Sequence, residues 1–93
     1  MISEHDKKAI IDLADKYRIT RLLLFGSSLD SNKESNDIDL AVEGLSEELF
    51  FKFYSEFIFN LSKPVDLVDI NRKSRFRDII IEESTNLYGL AKR

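Results

Sequence analysis

The 93-residue chain contains no cysteine, so neither a disulfide framework nor a thiolate metal site can be built from it. That absence is compatible with a reducing cytosol. Met1 to Lys8 is polar and does not resemble a signal peptide. No stretch approaches the roughly 18 apolar residues of a membrane span. A membrane role is therefore not expected, and the cytoplasm is the expected location. There is one proline, Pro64, and only three glycines, with no repeat or low-complexity segment, so these residues act as punctuation between elements. The single histidine, His5, lies at a polar helix start, where a solvated side chain is a simpler reading than a ligand or base. Positive charge is not in excess: 14 Lys and Arg face 17 Asp and Glu, a net charge of −3. A dedicated nucleic-acid binder would show a basic face, and here there is also no helix-turn-helix pattern or aromatic stacking motif.

What is present is enough for a folded unit. Apolar residues make up 43% of the chain, with seven Phe and three Tyr, which separates it from charged, aromatic-poor disordered sequences. The length suits one domain, residues 1–93, with a thin core. Ser3 with Asp6 three residues on forms a loose capping box, and Ala9, Ile10, Leu13, Ala14 and Tyr17 recur at helical spacing, so a helix is expected over about 4–17. Thr20 to Phe25 reads as a buried strand ending at Gly26. Residues 27–36 read as a polar loop. Asp37 to Glu43 alternates polar and apolar with the period of a strand. Ser46, Glu47 and Glu48 open a second helix to about Leu61. Its stripe comprises Leu49, Phe50, Phe53, Tyr54, Phe57, Ile58 and Leu61, with Phe59 outside it and Phe51 at its edge. Val65 to Ile70 is a third strand and about 74–84 a final helix, with Phe76, Ile79, Ile80 and Glu83 at helical spacing. Leu87-Tyr88 reads as a short terminal strand or a packed tail. The expected fold is α/β, a small mixed three-stranded sheet with flanking helices in the order helix, strand, loop, strand, helix, strand, helix.

Three features carry chemistry in combination. Gly26-Ser27 follows a buried strand, where exposed amides and a hydroxyl can receive a phosphate, although most such pairs are only turns. Asp37 and Asp39 are two apart on a strand and so share a face, while Ile38, Leu40 and Val42 point the other way. Two adjacent carboxylates repel unless a cation lies between them, and a hard divalent ion such as Mg²⁺ or Mn²⁺ removes the conflict and binds triphosphate as well. A solvated strand end is the competing reading. Asp66 and Asp69, three apart, fall on opposite strand faces, so at most one joins a site on a given face. Asp66 lies deep in its apolar run and would need a partner or a metal if buried. Asp69 is nearer the strand end and reads as a cap or a solvent contact. Arg72-Lys73-Ser74-Arg75-Phe76-Arg77 holds four cations in six residues, which suits a solvated helix start better than a binding site.

Gly26-Ser27, nine intervening residues, Asp37-Ile38-Asp39 and then Pro64-Val65-Asp66-Leu67-Val68 resemble the signature of the minimal nucleotidyltransferases, within the DNA polymerase beta-like superfamily. The resemblance covers nearly the whole chain, from the helix before Leu22-Leu23-Leu24-Phe25 to Leu87-Tyr88-Gly89. It implies that Asp37 and Asp39 hold divalent ions bridging a nucleoside triphosphate. Asp66 would be the third carboxylate, ligating the catalytic metal and helping to activate the attacking hydroxyl. Gly26 and Ser27 would contact the β- and γ-phosphates. The reaction implied is in-line transfer of a nucleoside monophosphate to an acceptor hydroxyl, with release of pyrophosphate. The chain departs from the family in one respect. Gly-Ser is commonly followed there by a basic residue and then Ala-Arg-Gly, whereas here it is followed by Ser28-Leu29-Asp30-Ser31. The missing positive charge near the triphosphate implies weaker nucleotide binding or a different donor, unless Lys33 or a cation of the Arg72 to Arg77 cluster substitutes for it.

Two functions follow. Short stand-alone members of the family are often antitoxins paired with an all-helical HEPN ribonuclease toxin, thought to be inactivated by transfer of AMP from ATP to a tyrosine. A chain this small leaves no room for a second domain to grip a small acceptor, which agrees with an acceptor supplied by a partner protein. Alternatively the domain neutralises or scaffolds a partner by contact alone, through Phe59, Phe51 and the basic cluster, with the aspartates vestigial. Direct recognition of DNA or RNA is the least supported reading, and self-association is left open.

Overall fold

The computed structural model describes residues 3–26 and 37–89. Helix α1 (Glu4–Tyr17) starts where the Ser3 hydroxyl accepts the Asp6 amide at 3.1 Å. It stops at Arg18, whose φ of 52° is left-handed, a conformation that turns the chain out of a helix and into the first strand. Strand β1 (Arg21–Phe25) is followed by β2 (Ile38–Glu43), helix α2 (Glu47–Asn60), β3 (Val65–Asp69), α3 (Arg75–Glu83) and β4 (Thr85–Gly89). The strands lie in the order β3-β2-β1-β4, with β2 and β3 parallel and the other two pairs antiparallel. The parallel pair requires a crossover, which α2 supplies.

The sheet is mixed as expected, but among the described residues it has four strands rather than three. Thr85–Gly89 is a full edge strand with no buried side chain. It lacks the alternation that marks a half-buried strand, so pairing with β1, not its own pattern, makes it extended.

Period-two alternation divides the core between the two faces. Leu22 and Leu24 of β1, Ile38, Leu40 and Val42 of β2, and Val65 and Leu67 of β3 point toward α1 and α2. There they meet Ile10, Leu13 and Ala14 and the fully buried Phe53 and Phe57, whose rings stand edge to face at 4.6 Å. Leu23, Ala41 and Ile70 point the opposite way and meet Ile80 of α3 in a smaller cluster. Tyr17 and Tyr54 pack against the larger core with their hydroxyls satisfied, by Glu56 and by the Val65 carbonyl.

The stripe read on α2 is wider than the face it buries. Phe53 and Phe57 are in the core, but Leu49 and Ile58 at the flanks are exposed, because one helix on a narrow sheet shields only the middle of its own stripe. Phe51 (77% exposed) and Phe59 (86%) stand in solvent, as the stripe geometry requires.

One buried charge ties the start of the chain to the segment after α2. Asp6, 1% exposed, accepts the backbone N–H of Ser62 at 3.1 Å and its hydroxyl at 2.5 Å, fastening the start of α1 to the turn after α2. Burial alone would raise its pKa. The Ser62 hydrogen bonds, with the charge of His5 and the Ser3 contact, outweigh burial and hold the carboxyl below its ordinary range.

Candidate active site

Asp39, the second residue of β2, has its core-directed neighbours Ile38 and Leu40 on the α1–α2 side, so its own side chain projects on the α3 side. Register then assembles a row. Phe25 pairs with Asp39 across the antiparallel β1–β2 ladder, and Asp39 pairs with Asp66 across the parallel β2–β3 ladder. Phe25, Asp39 and Asp66 therefore stand side by side on one face, at the C-terminal end of β1 and the N-terminal ends of β2 and β3. Asp69 falls on the opposite face, as its spacing requires, and accepts the Asn71 amide at 2.8 Å. Asp66 is exposed rather than buried, since β3 is the outer strand of the sheet and its α3-side surface is open at this end. Asp39 is half-buried, and Asp37 is exposed just ahead of β2.

Gly26 completes this end. Its φ is +71°, and a Cβ built there would lie 2.4 Å from Oδ2 of Asp39 and 3.2 Å from its Cγ. The bare Gly26 backbone thus lies directly against the Asp39 carboxylate, an approach no other residue permits. Ser27, expected beside it, lies outside the described residues, as does Lys33.

The three aspartates offer only hard oxygen donors, the chemistry that suits Mg²⁺ or Mn²⁺ rather than a softer metal. Asp39 and Asp66 are brought together by register, with Asp37 two residues along the chain. Among the described residues no group of three His, Cys, Asp or Glu is gathered closely enough to hold a metal ion. Donor type and shared face fit a divalent cation, while the three carboxylates do not converge as they stand.

At the other end of the same face a separate ion cluster anchors α3. Glu43 accepts Arg21 Nε at 2.5 Å and Arg77 Nη2 at 2.7 Å, and Arg77 Nε donates to the Ile70 carbonyl at 2.8 Å. Burial opposes ionisation of Glu43, but the two arginines outweigh it and hold the carboxyl below its usual range. Glu43 is four residues from Asp39 on β2, about 13 Å at strand rise. Arg77 is consequently committed elsewhere and does not replace the missing cation near Gly26. Arg72, Lys73 and Arg75 are exposed around the start of α3, where the Ser74 hydroxyl accepts the Arg77 amide, so three of the four cations form a solvated helix start and Arg77 does not.

Beyond Gly26 the row opens into a cleft of about 370 Å³, lined by Phe25, Gly26, Phe76, Ile79, Ile80 and Glu83. Only Ile80 among the α3 residues is buried; Phe76 (56% exposed) and Ile79 (49%) face solvent. The helical spacing of these residues reads as a packing face, and the only signal of a cleft is that this apolar face is broader than a nine-residue helix needs.

A parallel strand pair carrying adjacent carboxylates, beside a glycine turn at the end of a third strand, defines a nucleotidyltransferase-type fold. The chain belongs to the polymerase beta nucleotidyltransferase family, whose model matches residues 8–93. Its structure is similar to that of a toxin–antitoxin with AMP-PNP, with a TM-score of 0.72 and 26% identity, covering 89% of this chain and 73% of that one. It is similar in fold to the MntA–HepT toxin–antitoxin (TM-score 0.69, 22% identity, 94% of this chain and 73% of that one). The fold also matches a complex of tri-AMPylated Shewanella oneidensis HEPN toxin with MNT antitoxin (TM-score 0.69, 24% identity, 90% of this chain and 70% of that one). No curated protein sequence matches the chain. Among the described residues no helix is long and apolar enough to cross a membrane.

Proposed function

We propose that residues 1–93 act as one nucleotidyltransferase domain that transfers AMP from ATP to a hydroxyl on a partner protein, as the antitoxin of a HEPN-type toxin. The observation that supports this most is the row Phe25–Asp39–Asp66 with the bare Gly26 backbone against Asp39. Asp37, Asp39 and Asp66 would hold Mg²⁺ or Mn²⁺, which supplies charge neutralisation along the triphosphate and at the attacking and leaving oxygens. Gly26 and Ser27 receive the β- and γ-phosphates through backbone N–H groups and the hydroxyl. Asp66, exposed on the outer strand, faces an arriving acceptor and orients its hydroxyl. The acceptor oxygen bonds to the α-phosphorus, the bond to the bridging oxygen breaks, pyrophosphate leaves, and the hydroxyl proton passes to Asp66 or solvent. Free ATP and Mg²⁺ place such a reaction in the cytoplasm. The structures of relatives with AMP-PNP and with an AMPylated toxin support the nucleotide and the partner class.

The test is calorimetric titration of ATP with Mg²⁺ into the wild-type chain and into Asp37→Asn/Asp39→Asn. Metal-dependent binding lost in a still-folded variant is the expected result. A variant that binds ATP as well as wild type would remove these aspartates from the site.

A second reading rests on the exposed apolar side of α2. Phe51, Ile58 and Phe59 form a surface suited to holding a partner by contact alone. On that reading the Asp37→Asn/Asp39→Asn chain neutralises the partner undiminished, whereas Phe51→Ser/Phe59→Ser does not.

A further inference from the structure

The cleft between the end of β1 and α3 differs chemically from the carboxylate row beside it. Its walls are apolar: Phe25, Phe76, Ile79 and Ile80. Among the described residues its one charged lining group is the Glu83 carboxylate, the last residue of α3. That end of the helix carries the negative end of its dipole. An acid beside a helix C-terminus repels phosphate, which sets this part of the cleft apart from the phosphate site even though Gly26 lines both. It suits a flat apolar group that presents hydrogen-bond donors at its rim. The volume, about 370 Å³, lies within the range of small-molecule sites.

We infer that this cleft receives the base of the nucleotide, stacked against Phe76 and Ile79, with Glu83 accepting a hydrogen bond from an exocyclic amino group. The inference rests on the nucleotide reading above and adds a selectivity to it. Adenine, guanine and cytosine carry an amino donor; uracil presents carbonyl oxygens there, which face the Glu83 carboxylate without a hydrogen bond. ATP is therefore favoured over UTP. The base is held by residues of α3, an element distinct from the strands that carry the aspartates.

The experiment is titration of ATP, UTP and inorganic tripolyphosphate, each with Mg²⁺, into wild type, Phe76→Ala, Glu83→Gln and Asp39→Asn. Phe76 and Glu83 are exposed, so their replacement leaves the fold intact, which a thermal melt of each variant checks. Base–aromatic contacts are worth about 1–3 kcal/mol, so Phe76→Ala weakens ATP by about 5- to 150-fold and leaves tripolyphosphate unchanged. Glu83→Gln, which offers both a donor and an acceptor, narrows the preference for ATP over UTP. ATP binding that requires Asp39 but is indifferent to Phe76 and to the base would overturn the inference and leave the nucleotide reading standing. If wild type binds neither ATP nor tripolyphosphate, both fall.

Discussion

Replacing Gly26 with alanine puts a methyl group where the structure has only backbone facing Asp39. Two effects combine, and they can be measured separately. The left-handed backbone, φ +71°, costs a residue with a Cβ about 1–2 kcal/mol, which for a chain of this size lowers Tm by about 5–15 °C. The new Cβ would also start 2.4 Å from Oδ2 of Asp39, whereas ordinary contact begins at 3.4 Å. The carboxylate must retreat by about 1 Å, a misplacement that can cost a reacting group on the order of 100-fold. Gly44 is the control. Its φ is +92°, and a Cβ there would lie 2.5 Å from the Thr20 backbone nitrogen, which cannot rotate aside as a side chain can. Gly44→Ala is therefore the more destabilising substitution, but it lies past the Glu43 end of β2, away from Asp39. Thermal melts and Mg²⁺-dependent ATP titration of both variants, at a temperature where each is folded, give the comparison. The expected order is inverted between the assays: Gly44→Ala melts lower, and Gly26→Ala binds ATP more weakly. ATP affinity retained in Gly26→Ala, or lost equally in folded Gly44→Ala, refutes the role given to Gly26.

Asp66→Asn removes one of two like charges held in register with each other; without metal it raises stability by about 0.2–1 kcal/mol, seen as a small rise in Tm at low salt. An unchanged or lower Tm would mean that Asp39 and Asp66 do not repel. Asp6→Ala removes the hydrogen bonds that Ser62 donates to a charged carboxylate, a loss of about 1.5–3 kcal/mol at neutral pH. Because the folded carboxyl titrates below its ordinary 3.8, the stabilisation is present above that value and fades as pH falls through the lower folded value. Urea melts of wild type and Asp6→Ala should accordingly differ by a constant amount above the ordinary carboxyl value and draw closer as pH falls below it. Tyr17 is pushed up to about 12 by burial and by its hydrogen bond to Glu56. Its share of stability is complete below the ordinary value of 10 and lost as pH rises through about 12. An ultraviolet titration of wild type should show a late tyrosine ionisation that Tyr17→Phe removes.

The helices and the strands β1, β2 and β3 can be read from the chain because their periodicities are strong, and Ser3 caps α1 as its spacing to Asp6 suggests. The same alternation places Asp39 opposite Ile38 and Leu40 and separates Asp66 from Asp69. Nothing local says that β2 and β3 are parallel neighbours in the register that sets Asp39 beside Asp66; long-range pairing decides that. β4 escaped a firm reading because Thr85, Asn86 and Gly89 carry no buried pattern, and its partner supplies the order. The widths of the apolar stripes misled at Leu49 and Ile58, since a helical wheel reports direction and not how much sheet lies beneath. Arg77 looked available in a run of cations, and only the fold shows it paired with Glu43 and bonded to the Ile70 carbonyl. The cleft beside Gly26 arises where α3 returns across the sheet, a matter of tertiary path that spacing does not record.

Asp66 sits on a strand with no neighbour on its outer side among the described residues. A carboxylate at such a rim is reached sideways, without threading a tunnel or waiting for a cover to lift. A small alcohol arriving there meets only one wall and little to slow its departure. A hydroxyl borne on a large folded surface is different: contacts made well away from the rim can hold it in place for as long as that surface stays docked. If the proposed transfer to a partner protein runs at this rim, discrimination among acceptors resides in how long two proteins remain together rather than in the shape of a pocket. On the function proposed above, the wall that this open rim lacks is one its substrate brings.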